Sequence, residues 1–107
     1  MFNLFKKKEE AKQPFSFSEP ENTACFTCDH VINRQRPILL ASHEEEDGSW
    51  MFMCGKEDHT ESNYKIVSLG NIVGIDSSVN SLSEMPLGCG AERETIKDKW
   101  NGYTISK

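Results

Sequence analysis

The sequence predicts a small single α+β domain: an antiparallel β-meander with one or two short helices inserted late, behind a disordered N-terminal tail. Three observations carry that expectation. Strand-like segments at 38–43 and 50–54 flank Asp47-Gly48, a pair favoured in tight hairpin turns because both positions need positive φ. After Ser68 the apolar spacing changes period, and side chains able to cap helices precede two short helical runs. A chain of 107 residues, 36% hydrophobic and 27% charged, supports one modest core and is too short for two.

Residues 1–20 are expected to form the tail and residues 21–107 the domain. In the tail, Phe2, Leu4 and Phe5 precede three lysines, an order that does not read as a secretory signal and gives weak membrane anchoring at best. The segment Ala24 to Ile32 reads as a turn or strand end carrying Cys25-x-x-Cys28. Pro37 makes the residues before it a loop. Strands are expected at 38–43 and 50–54, with a third at 64–68 after the polar loop Gly55 to Asn63. Ser68 can cap a helix over 69–73 stopped by Gly74, and Asp76 can cap another over 77–83 ended by Pro86. Residues 87–93 read as extended, and Trp100 to Ile105 as a final strand that docks in the sheet.

No apolar run approaches the roughly 20 residues needed to span a bilayer. A cytoplasmic location is the default expectation, and there four cysteines read as thiols or metal ligands before disulfides. Zinc takes four thiolate or imidazole ligands, usually as two close pairs from separate turns. Cys25 and Cys28 have the spacing of one pair, and Cys54 and His59 of the other, so one structural zinc on these four residues is a candidate. The ligand set stays open, because His30 or Cys89 could replace a member. A redox site at Cys25-x-x-Cys28 is disfavoured, since no βαβ pattern precedes it.

The net charge of −5 argues against nucleic-acid binding and suits a basic protein partner. Glu44, Glu45, Glu46 and Asp47 fall at the expected hairpin tip and form the candidate partner-binding surface. No nucleophile elbow, phosphate loop or matched carboxylate pair supports an enzyme, so no catalytic residue is assigned.

Asp47 to Gly55, Glu57-Asp58-His59, Ile66-Val67-Ser68-Leu69, Ile72, Asp76 to Val79, Leu82, Pro86-Leu87-Gly88, Ala91-Glu92-Arg93 and Trp100 together resemble a widespread bacterial domain family of uncharacterised function. Its relatives are predicted immunity proteins of polymorphic toxin systems. The resemblance covers roughly Cys25 to Tyr103 and implies a small α+β module that binds and neutralises a cognate toxin. It brings no agreed catalytic residues.

Overall fold

Strand formation begins where side chains alternate between water and a packed interior. In β1 (Ala24–Cys28) Cys25 and Thr27 are fully buried while Ala24 and Phe26 between them are exposed. A four-residue helix, α1 (Asp29–Ile32), follows at once. Then come β2 (Leu40–His43), β3 (Trp50–Met53), a single 3-10 turn (Glu61–Asn63) and β4 (Tyr64–Ser68). Helix α2 (Leu69–Ile75) and a 3-10 segment (Ser77–Leu82) precede β5 (Cys89–Glu92) and β6 (Asn101–Thr104). The computed structural model describes residues 14–105.

The six strands form one sheet in the order β4-β1-β3-β2-β5-β6. Every neighbouring pair is antiparallel except β1 and β3, which run parallel with Phe26 beside Met51. The α+β class holds, with a mixed sheet in which β1 is inserted between β3 and β4. One side of the sheet packs on α2 and the 3-10 segment. Its interior holds Cys25, Trp50, Phe52 and Ala41 from the strands, and Leu69, Ile72, Val73, Val79 and Leu82 from the helical layer.

The β2–β3 hairpin forms, but a four-residue loop closes it. Glu44 N–H donates to the Ser49 carbonyl at 2.8 Å and Gly48 N–H to the Glu44 carbonyl at 3.0 Å. Within that loop only Gly48 has positive φ, at 72°. Asp47 instead turns its carboxylate to accept from Ser49 N–H at 3.0 Å. Ala41 therefore pairs with Phe52, whereas a two-residue turn at Asp47-Gly48 would set it opposite Cys54. The slip is two residues, so every side chain keeps its expected face.

Both expected caps are present. The Ser68 hydroxyl accepts from Asn71 N–H at 3.0 Å, and Asp76 accepts from Ser78 N–H at 3.0 Å. Helix α2 runs through Gly74 to Ile75, because Gly74 is not in the left-handed region and so does not act as a stop.

Residues Pro14 to Pro20, expected in the tail, lie on the core; residues 1–13 of that tail fall outside the described residues. Phe17 is 5% exposed and sets its ring edge-on to Trp50 at 5.0 Å. Glu19 accepts from Trp50 Nε1 at 2.9 Å. Asn80 clamps the same segment, donating to the Pro14 carbonyl and accepting from Ser16 N–H, each at 2.9 Å.

Among the described residues Arg93, just past β5, is the buried charged side chain. It donates to the Ile38 carbonyl at 2.9 Å, to the Ser78 hydroxyl at 3.0 Å and to Asp76 at 2.7 Å, under the Trp100 ring. Burial pushes the Asp76 carboxyl up. The hydroxyl and amide of Ser78, and the Arg93 guanidinium, outweigh that and hold it below the usual carboxylate range. A lowered folded pKa contributes stability that is present above the unfolded value, about 3.9, and is lost as pH falls through the folded one. Asp76→Asn is thus expected to lower the Tm clearly at pH 7 and progressively less below about pH 4. Thermal melts of both proteins across that range check this; a gap that does not change with pH contradicts it.

Candidate functional site

Two features on the molecule have the chemistry of sites. The first follows from the parallel pairing of β1 with β3, which brings the C-terminal ends of both strands side by side. Cys28 ends β1 and Cys54 follows β3 by one residue, at 0% and 2% exposure. The turn of α1 brings His30 back over the strand end, and the loop after Gly55 (φ 83°) returns His59 to the same place. One ligand atom from each of Cys28, His30, Cys54 and His59 lies within 4.8 Å of all the others. His30 Nδ1 and His59 Nε2 are 3.3 Å apart, and Cys54 Sγ is 3.5 Å from His59 Nε2.

The surroundings hold this group in place. Arg36 donates to Cys54 Sγ at 3.5 Å and makes a forked pair with Asp58 at 3.0 and 2.9 Å. The guanidinium pulls the Asp58 carboxyl down to about 2. Asn63 accepts from Thr60 N–H at 2.7 Å and donates to the Asp29 carboxylate at 3.2 Å, tying the His59 loop to α1. Burial pushes the Cys28 thiol up, with the Cys54 thiol beside it adding to the rise. The backbone dipoles at Val31 and Cys54 work in the opposite direction.

Of the four residues expected to bind metal, Cys28, Cys54 and His59 come together and Cys25 does not. A Cys-x-x-Cys pair chelates when it forms a turn, but here the motif lies along an extended strand. Three residues of strand put Cys25 about 10 Å from Cys28 and on the opposite face. It packs in the core, and burial pushes its thiol up to about 12. His30, open as an alternative in the sequence, occupies the fourth place. Cys89 lies in β5 opposite His43 and Thr104, outside the group.

The second feature is the side of the sheet away from the helical layer. Successive registers align Ile66, Phe26, Met51, Ser42, Gly90 and Tyr103 in one row across all six strands. Ile66 is 65% exposed and Phe26 37%, with Tyr64 also open and Met51 half-buried. Tyr103 lies flat over Gly90, where an added Cβ would come within 2.7 Å of its ring. Glu44 is tied to this row by the Ser42 hydroxyl at 2.7 Å, and with Glu92 it places negative charge beside Tyr103. At the hairpin tip Glu45, Glu46 and Asp47 are exposed and Glu44 is half-buried. Sequence alone gave this row no role.

Over residues 25–104 the chain matches the immunity protein Imm33 domain. The chain belongs to the Imm33 family. No curated protein and no solved structure matches it. The immunity relationship expected from the segments between Asp47 and Trp100 is therefore the one found, and Imm33 membership makes a toxin, in general, the partner. The Imm33 match includes all four residues of the Cys/His group and every residue of the sheet but Ala24, and begins after the segment carrying Phe17. Among the described residues of this Imm33 protein no helix is long and apolar enough to cross a membrane.

Proposed function

We propose that this chain is a cytoplasmic, non-enzymatic immunity protein that neutralises a cognate toxin by covering a basic surface of it. The observation that carries this reading is the open apolar row bounded by carboxylates. A row running from exposed Ile66 and Phe26 to half-buried Met51, with Glu44 and Glu92 at its Tyr103 end, is the composition of a protein-binding face. The tip residues Glu44, Glu45, Glu46 and Asp47 extend the acidic rim, in keeping with the net charge of −5. Apolar contact supplies the desolvated centre, and the carboxylates speed and orient encounter with a basic partner.

The test uses the cognate toxin, to be sought first among the products of genes neighbouring this one. Co-expression with the wild-type chain is expected to restore growth. Replacing Glu44, Glu45 and Glu46 together by lysine should slow association about tenfold or more at low salt, with the gap closing as salt rises. Ile66→Lys, at a site 65% exposed, should leave the Tm nearly unchanged and speed dissociation. Association and dissociation rates unaffected by both changes would remove this surface as the binding face.

A further inference from the structure

The Cys/His group at the ends of β1 and β3 goes beyond toxin recognition. We propose that Cys28, His30, Cys54 and His59 bind one zinc ion in a closed tetrahedral site that staples the two parallel strand ends to the loop leading into β4.

The argument is geometric. With Zn–S near 2.3 Å and Zn–N near 2.05 Å, a regular tetrahedron has N···N edges of about 3.3 Å and S···N edges of about 3.6 Å. The structure has 3.3 Å between His30 Nδ1 and His59 Nε2 and 3.5 Å between Cys54 Sγ and His59 Nε2. Those edges already have the size that a zinc ion demands, and all four donor atoms fit within 4.8 Å. Nothing would need to travel far to enclose the ion.

The donor set selects the metal. Two sulfurs and two imidazoles in a tetrahedron suit zinc, whereas magnesium and calcium require oxygen. Two thiolates and two neutral imidazoles balance the 2+ charge of the ion, so the filled site is neutral in a buried place. Arg36 donates to Cys54 Sγ, and Asp58 offsets its charge, so the guanidinium supports a thiolate without leaving a bare cation beside the metal. With four protein ligands no position stays open for water or substrate, which makes the site structural.

Ligand positions explain what the ion would hold. Cys28 ends β1, His30 is in α1, Cys54 follows β3, and His59 sits five residues before β4. Four bonds to one ion therefore fix the exits of β1 and β3 and the course of residues 55–60 towards β4.

The experiment uses the full chain, reduced and freed of metal, then loaded with cobalt or zinc. One cobalt per chain with the visible bands of a tetrahedral thiolate site is expected, and zinc should displace it. Zinc in hundredfold excess over its Kd should raise the Tm by about 10 °C or more. X-ray absorption on the zinc-loaded wild type should give two sulfurs near 2.3 Å and two nitrogens near 2.0–2.1 Å. That readout needs no variant. Cys25→Ser should keep the stoichiometry, and His30→Ala should lose the tetrahedral cobalt spectrum. No bound metal, octahedral cobalt, or three sulfurs and one nitrogen would each overturn the proposal. Growth rescue by the apo protein would leave the toxin-binding reading intact, so failures of the two readings are distinguishable.

Discussion

Arg93→Met is expected to destabilise the fold by about 3–5 kcal/mol. The side chain is 1% exposed, and its fork reaches the Ile38 carbonyl through Nε and Nη2, Ser78 through Nη1 and Asp76 through Nη2. Methionine fills much of the volume under Trp100 and makes none of these bonds. Asp76 is then left as a half-buried carboxylate without its cation, and the Ile38 carbonyl loses both of its guanidinium donors. Leaving a buried charge uncompensated is what costs, more than the worth of the intact pair. Lysine should fail almost as badly, because a point charge cannot reach both the carbonyl and the carboxylate in the fork geometry. Urea unfolding of Arg93→Met, Asp76→Asn and the double variant measures this. The double variant is expected to be less destabilised than the sum of the singles, and a loss under about 1 kcal/mol in Arg93→Met would show that the network is dispensable.

Phe17→Ala is expected to cost about 3 kcal/mol or more, which for a domain of this size is a fall in Tm of roughly 15 °C. The ring lies edge-on to Trp50 and to Phe52, at 5.0 and 6.2 Å, within the buried core. Its removal opens a cavity against the largest buried side chains of β3 and loosens the strand of chain that delivers Glu19 to Trp50 Nε1. Phe15, only partly buried beside it, should cost less when truncated. Trp50 fluorescence and thermal melts report both effects. Equal and small losses at Phe15 and Phe17 would mean that this segment is not part of the core.

The contrast between these two residues shows what the sequence could and could not disclose. Strands, both helix caps and the hairpin follow from local chemistry: alternation, a hydroxyl or carboxylate before an apolar run, and a glycine able to take positive φ. These were legible at Ser68, Asp76 and Gly48. Phe17 was not, since it lies among Ser, Glu and Pro, and its burial depends on a tertiary groove above Trp50. The hairpin register was missed by two residues for a similar reason. A two-residue turn and a four-residue loop both satisfy Asp47-Gly48, and the choice depends on hydrogen bonds made by Glu44. In the Cys/His group, spacing found Cys28, Cys54 and His59. It could not tell Cys25 from His30, because that decision depends on whether residues 25–28 are turn or strand. The open apolar row needed the strand order, which no local signal contains.

The place of β1 between β3 and β4 also fixes the order of events during synthesis. Ala24 pairs with Ser68 and Phe26 with Met51, so a segment made early has no partners until β3 and β4 have been made. A ribosome adding about 5–20 residues per second leaves that strand waiting for seconds, its apolar side chains uncovered. Loop closure over such separations also slows the folding step itself. A protein whose use is to be ready before its target acts therefore gains from accumulating in advance. Protection should track the folded pool already present when the toxin arrives, and newly started chains should add to it only after a delay.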